Sequence, residues 1–123
     1  MSFEYELVPK TPFTAEDHAE MRKWWERYPV WTGPDRVIFV FDDEGTRQLR
    51  LDRWRNNPGR NDYLTPYVKF FDDGNVQVSV VGDETTNKWF HDFVVWAQER
   101  WPSELRYFGQ RVDPGELLEG PED

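Results

Sequence analysis

The stretch YVKFFDDGNVQVSV, from Tyr67 to Val80, decides the fold, because it contains two alternating strands and the turn between them. Apolar residues occupy every second position on both sides of the turn, which is the pattern of strands with one buried face. Asp72, Asp73 and Gly74 interrupt this pattern, and these residue types favour tight turns. The stretch therefore predicts a β-hairpin within an antiparallel sheet.

The apolar pattern also selects the length of the turn. A two-residue turn would set polar residues of one strand opposite apolar residues of the other. A three-residue loop with Gly74 in the left-handed conformation instead sets Phe70 opposite Val76. Val68 then lies opposite Val78, two residues further from the loop. Because register follows the hydrophobic pattern, we predict the three-residue loop.

A second hairpin is predicted upstream by the same reasoning. Its strands run from Val37 to Asp42 and from Thr46 to Trp54, with Gly45 in the loop. The predicted pairs are Phe39 with Leu49 and Val37 with Leu51.

Two amphipathic helices flank the hairpins. Thr14 is a predicted N-cap with Asp17 three residues later, and the first helix is expected to end near Arg27. The second helix is expected to begin at Thr85 or Thr86 and to stop before Pro102. Pro29, Gly33 and Pro34 are expected to break the pattern after the first helix.

Helical spacing of three and four residues identifies the core side of each helix. The first helix places His18, Met21, Trp25 and Tyr28 on that side. The second helix places Phe90, Phe93, Val94, Ala97 and Trp101 there.

The order of elements predicts an α+β fold. An alternating strand is expected from Phe3 to Leu7 and a last strand from Leu105 to Val112, which gives the order β-α-β-β-β-β-α-β. Such an order favours a mainly antiparallel sheet with two helices packed on one face. We expect a single domain over residues 1–112, followed by an acidic, mobile tail over residues 113–123.

The composition argues against catalysis and against a membrane. The 123 residues include seven Trp, nine Phe and five Tyr but no Cys, and only two His, neither of which lies in a metal-ligand spacing. Paired carboxylates fall in predicted turns or just before the second predicted helix, and no nucleophile or phosphate-binding motif is present. We therefore expect no catalytic residues, no cofactor and no metal. The absence of a long apolar run or secretory signal makes a cytoplasmic location the default expectation.

Two helices cover one side of a sheet, so the predicted strands can be sorted by face. The covered side would hold Phe3, Tyr5, Leu7, Val37, Phe39, Leu49, Leu51, Val68, Phe70, Val76, Val78 and Val80. The other side would hold Ile38, Val40, Arg50, Asp52, Trp54, Tyr67, Lys69, Phe71, Gln77, Ser79 and Val81. This second set is too apolar for a purely solvated surface, and such surfaces mark interfaces.

The candidate binding residues on that second side are Arg50, Trp54, Tyr67, Lys69 and Phe71, because Trp, Tyr and Arg are enriched in binding hot spots. Two other interpretations of the side stay open. Either the loop Arg55–Asp62 or the acidic tail folds over it, or the chain forms a homodimer through it.

The leading hypothesis is a small acidic protein-interaction module that neutralises a basic partner. The formal net charge is -9 and the sequence pI is about 4.7, which favours a basic partner protein. Contacts would come from the sheet face or from the acidic residues Asp42, Asp43, Glu44, Asp72 and Asp73. In size and charge the chain resembles immunity proteins and phage-encoded inhibitors, but no motif assigns it to a family.

Two other classes of function are compatible with the sequence. A nucleic-acid-binding module would use Arg50, Arg55, Arg60, Trp54 and Tyr67, although the net charge argues against such a partner. A small-ligand-binding domain would have a pocket between the helices and the sheet, near Trp25, Trp89 and Trp96.

Overall fold

The structure, a computed structural model, describes residues 3–28, 30–33, 36–39, 67–80 and 84–119. These residues form a seven-stranded antiparallel sheet with helices packed on it, so the predicted α+β class is confirmed. The strands are β1 (Phe3–Pro9), β2 (Val30–Thr32), β3 (Arg36–Phe39), β4 (Tyr67–Phe70), β5 (Val76–Val80), β6 (Ser103–Tyr107) and β7 (Gln110–Val112). The helices are α1 (Ala15–Trp25), α2 (Glu84–Arg100) and α3 (Glu116–Glu119). Across the sheet the order is β2-β3-β4-β5-β1-β6-β7.

The hairpin formed by β4 and β5 has the predicted register and loop. Phe70 pairs with Val76 and Val68 pairs with Val78. Gly74 has a φ of 98°, in the left-handed region that favours glycine. The prediction of a three-residue loop is confirmed.

The start of α1 is fixed by the predicted cap. The Asp17 backbone N–H donates to Thr14 Oγ1 over 3.1 Å, and the Thr14 N–H donates to Asp17 Oδ2 over 3.0 Å. This reciprocal capping box satisfies two backbone donors that a helix start otherwise leaves unpaired.

Both long helices pack on the same face of the sheet through aromatic side chains. The Trp25 ring lies 5.1 Å from Phe93 and 5.7 Å from Phe90, centroid to centroid. Each such pair contributes about 0.5–1.5 kcal/mol beyond the burial of its area. Trp24, which the spacing did not place on the core side, is buried because it stacks on Trp96 of α2 at 5.6 Å.

The predicted covered side of the sheet agrees with the described core. The side chains of Tyr5, Leu7, Val37, Val68, Phe70, Val76, Val78 and Val80 are buried, and Phe3 packs against them. On α2 the residues Phe90, Phe93, Val94 and Ala97 are fully buried, while Trp101 follows the end of the helix and is partly buried. The positions of Leu49 and Leu51, and the side chain of Phe39, lie outside the described residues.

One predicted pairing is wrong because the sheet contains a strand that the sequence pattern did not indicate. Pro29, Gly33 and Pro34 were expected to break the structure here, yet Val30–Thr32 forms the edge strand β2. Very short strands are common at sheet edges, because they leave few unpaired backbone groups exposed. Val37 pairs with Thr32 on one side and with Val68 on the other, so both of its backbone edges are occupied. The predicted pairing of Val37 with Leu51 is therefore wrong.

The predicted last strand is in fact a hairpin. Residues Phe108 and Gly109 turn the chain between β6 and β7, with φ values of 49° and 78°. Tyr107 then pairs with Gln110, and Leu105 with Val112. A continuous strand from Leu105 to Val112 was the wrong interpretation, because Gly109 permits a two-residue turn at this point.

The chain contributes to the core beyond Val112, where the acidic tail was predicted to begin. Helix α3 places Leu117 in the core with no exposed surface. The Gly115 N–H donates to Asp113 Oδ1 over 2.8 Å and shapes the turn before this helix. Residues 120–123 of the predicted tail lie outside the described residues.

Replacing Gly74 with Ala is expected to destabilise the protein more than the same change at Gly109. A Cβ at Gly74 would lie 2.9 Å from the Phe13 backbone nitrogen and 3.0 Å from Pro12 Cβ. A Cβ at Gly109 would meet no atom within 4 Å. We expect G74A to lower the free energy of unfolding by about 2 kcal/mol and G109A by about 1 kcal/mol. Urea unfolding followed by Trp fluorescence measures both, and equal losses would contradict the close approach of Phe13.

Candidate functional site

The face of the sheet opposite α1 and α2, called the open face below, carries a row of polar residues. Residues that pair directly across neighbouring strands share a face of the sheet. The registers therefore align Arg36, Lys69, Gln77, Glu6, Arg106 and Arg111 across six strands. A parallel row contains Tyr67, Ser79 and Glu4. The open face thus combines cations, carboxylates and an aromatic ring.

Three predicted binding residues lie together on this face. Tyr67, Lys69 and Phe71 follow one another along β4 and its end, and all three are partly buried. Lys69 Nζ lies 4.9 Å from the centre of the Phe71 ring, and the Arg36 guanidinium lies 5.6 Å from that of Tyr67. Cations over aromatic rings hold both partners in place while leaving them in contact with solvent.

Tyr67 contributes an apolar ring to the open face, and its hydroxyl does not act as a proton acceptor in the ionised form. Burial raises the pKa of its hydroxyl, and the nearby Glu4 carboxylate raises that pKa further. Arg36 and a hydrogen bond with the Ser79 hydroxyl act in the opposite direction but do not reverse the shift. The hydroxyl is therefore neutral at physiological pH and tied to the neighbouring strand.

A shallow groove of about 380 Å³ lies on the open face around β1 and β6. It is lined by Glu4, Tyr5, Glu6, Phe71, Gln77, Arg106, Tyr107, Phe108 and Gly109. Within the groove, Glu6 Oε1 accepts a hydrogen bond of 2.6 Å from the Asn75 amide. Arg106 donates to Glu104 Oε2 from Nη2 at 3.0 Å and from Nε at 3.2 Å.

Phe108 lines this groove and has 89% of its surface exposed. Its φ of 49° is in the left-handed region, which costs a bulky residue about 1–2 kcal/mol. Two-residue turns with two positive φ values favour Asn-Gly, yet this turn is Phe-Gly. Phe108 was not among the predicted site residues. Gly109, with apolar residues on both sides in the sequence, was nevertheless a signal for the turn.

The acidic candidates are only partly described. Asp72 and Asp73 are exposed in the loop between β4 and β5. Asp73 Oδ1 accepts the Asn75 N–H over 2.9 Å, which is a structural role in the turn. The other predicted site residues, Asp42, Asp43, Glu44, Arg50, Trp54, Arg55 and Arg60, lie outside the described residues.

The tryptophans named for a small-ligand pocket pack against other aromatic rings. Trp25 is fully buried among the rings of α2, as described above. Trp89 stacks on Tyr28 at 4.6 Å, and Trp96 contacts Trp24 as described above.

The two histidines have structural contacts. His18 Nε2 lies 3.2 Å from the Gly74 carbonyl oxygen, and its ring lies 5.0 Å from Phe70. His91 Nδ1 lies 3.1 Å from Asp92 Oδ1. Burial acts to raise the pKa of Asp92, but the hydrogen bonds from His91 and Lys88 lower it below its usual value. Among the described residues, no group of three or more His, Asp or Glu side chains is arranged to hold a metal ion.

No protein-family model, curated protein or solved structure matches this chain. Within the described part of the chain, no helix has the length and apolar character needed to cross a membrane.

Replacing Phe108 with Asn is expected to raise the free energy of unfolding by about 0.5 kcal/mol. Asn tolerates positive φ better than Phe does, and this gain exceeds the lost contact with Tyr107, whose ring is 4.6 Å away. Thermal and urea unfolding measure the change.

The matched control for this variant is L118N, because Leu118 is also exposed, at 43%, but lies in α3 with ordinary helical backbone. We expect L118N to leave stability unchanged or to lower it slightly. A stability gain in L118N equal to that in F108N would contradict the role of the left-handed backbone.

Proposed function

We propose that this chain is a protein-interaction module that binds its partner through the open face. The observation that supports the proposal is the partly exposed group of Tyr67, Lys69 and Phe71 on the side of the sheet away from α1 and α2. Phe108, which is largely exposed, lines the groove on the same face. Aromatic and cationic side chains at the centre of a surface are typical of binding hot spots.

The dimensions of the open face suit a protein partner. With neighbouring strands about 4.8 Å apart, the row from Arg36 to Arg111 spans about 24 Å. The row contains four cations, one neutral side chain and one carboxylate, and Glu6 lies between Gln77 and Arg106. Such a mixed surface provides directional contacts of both signs, as protein interfaces do.

We further propose that the partner is a basic protein and that binding neutralises it, as an immunity or inhibitor protein does. The formal net charge of -9 supports this proposal, because a strongly acidic protein accelerates its encounter with a basic one. In this account the net charge attracts the partner, and the open face makes the specific contact.

A nucleic-acid-binding function is the second candidate, and one observation favours it. Arg36, Lys69, Arg106 and Arg111 lie in one row beside the rings of Tyr67 and Phe71. Cations with aromatic rings are the usual means of holding a single strand. Against this, Glu104 engages Arg106, and the overall charge repels phosphates.

Photo-crosslinking from the open face tests the proposed function. A photo-reactive amino acid placed at Lys69 is expected to form a covalent adduct with one basic protein in a lysate of the source cells. The same amino acid at Lys23, which is exposed on α1, is the control and should give at most a few per cent of that adduct. Mass spectrometry identifies the products.

Each other outcome of the crosslinking would overturn the proposal. Adducts of equal yield from both positions would show that the contact is not specific to the open face. An adduct with a second copy of the chain would identify a homodimer surface, and an adduct with nucleic acid would favour the second candidate.

A further inference from the structure

The groove on the open face contains two carboxylates on one strand. Glu4 and Glu6 alternate along β1, so both side chains lie on the open face about 7 Å apart. Like charges at this separation repel one another, and a cation placed between them would relieve the repulsion. The groove therefore favours an occupant that carries positive charge.

The cation best placed to neutralise this pair is already engaged. Arg106 is the register partner of Glu6 on β6. Its guanidinium nevertheless donates two hydrogen bonds to Glu104, two residues away on its own strand. Glu6 Oε1 instead accepts a hydrogen bond from the neutral side-chain amide of Asn75. The lining of the groove thus keeps a local excess of negative charge, which is complementary to a basic surface.

The groove also offers apolar walls. Phe71 and Phe108 both line it, and Phe108 is the most exposed large apolar residue among those described. The long side chains of Arg and Lys have an aliphatic stem below the charge, so they suit a site with both carboxylates and rings. Charge and shape point to the same type of side chain.

We propose that the groove beside Phe108 is the docking point for a basic segment of the partner protein. An Arg or Lys of that segment enters between Glu4 and Glu6, and the Phe108 ring packs against the segment. This inference rests on the proposed function and assigns the residues that carry its specificity.

A peptide titration followed by NMR tests the docking point without knowledge of the partner. The probe is acetyl-Gly-Arg-Arg-Gly-amide, and acetyl-Gly-Gln-Gln-Gly-amide is the uncharged control. We expect the arginine peptide to shift the backbone amides of Gln77, Tyr107 and Gly109. The glutamine peptide should leave these amides unchanged.

Two double variants with the same net charge separate the groove from general attraction. E4Q/E6Q is expected to weaken binding of the arginine peptide at least tenfold. E16Q/E99Q removes the same charge from exposed positions on α1 and α2 and should change the affinity less than twofold. Equal losses in the two double variants would overturn the proposal, because they would show attraction by net charge alone.

The F108N variant tests the aromatic wall. It is expected to weaken binding of the arginine peptide about threefold while the protein stays folded. Unchanged affinity in F108N would remove Phe108 from the docking point and overturn the proposal as stated.

The failure of this inference can be told from the failure of the proposed function. If the arginine peptide shifts no groove amide while the Lys69 derivative still crosslinks a basic protein, the groove assignment is wrong and the proposed function stands. If Lys69 forms no adduct with another protein, the proposed function itself is wrong.

Discussion

The packing of Trp24 and Trp25 against the rings of α2 is the interaction on which the rest of the structure depends. Both rings lie within 5.4 Å of the Phe93 ring centre, so α1 and α2 are held together on one side of the sheet. The same cluster buries the alternating valines of β4 and β5, which fixes their register. Because these helices occupy one face, the side chains of the other face point away from them.

That separation gives the two faces of each strand different tasks. On β4, Val68 and Phe70 belong to the core, whereas Tyr67 and Lys69 alternate with them on the open face. Substitutions on the core face act on stability, and substitutions on the open face are free to act on binding. At Phe108, in the turn between β6 and β7, the backbone conformation and the exposure both favour another residue for folding. The proposed contact with a partner would give this side chain a role that folding does not.

Much of the described fold could be predicted from local patterns, because apolar alternation, helical spacing and Gly74 all act over a few residues. The features that were missed depend on contacts distant in sequence. β2 is stabilised by its pairing with β3, and Leu117 by the core that α3 covers, so neither has a strong local signal. For the site, the period of two placed Tyr67, Lys69 and Phe71 correctly on one face. The groove could not be predicted, because it requires β1 and β6 to be neighbours.

Hydroxyl-radical footprinting of the free, monomeric chain tests most directly whether the open face is uncovered. Oxidation rates are compared only among phenylalanines, which share one intrinsic reactivity. Differences between their rates therefore report differences in exposure. The account predicts that Phe108 is oxidised fastest, that Phe71 is oxidised at an intermediate rate, and that the fully buried Phe90 and Phe93 are protected. Protection of Phe71 to the level of Phe93 would contradict the account, because it would show that the chain covers this face itself.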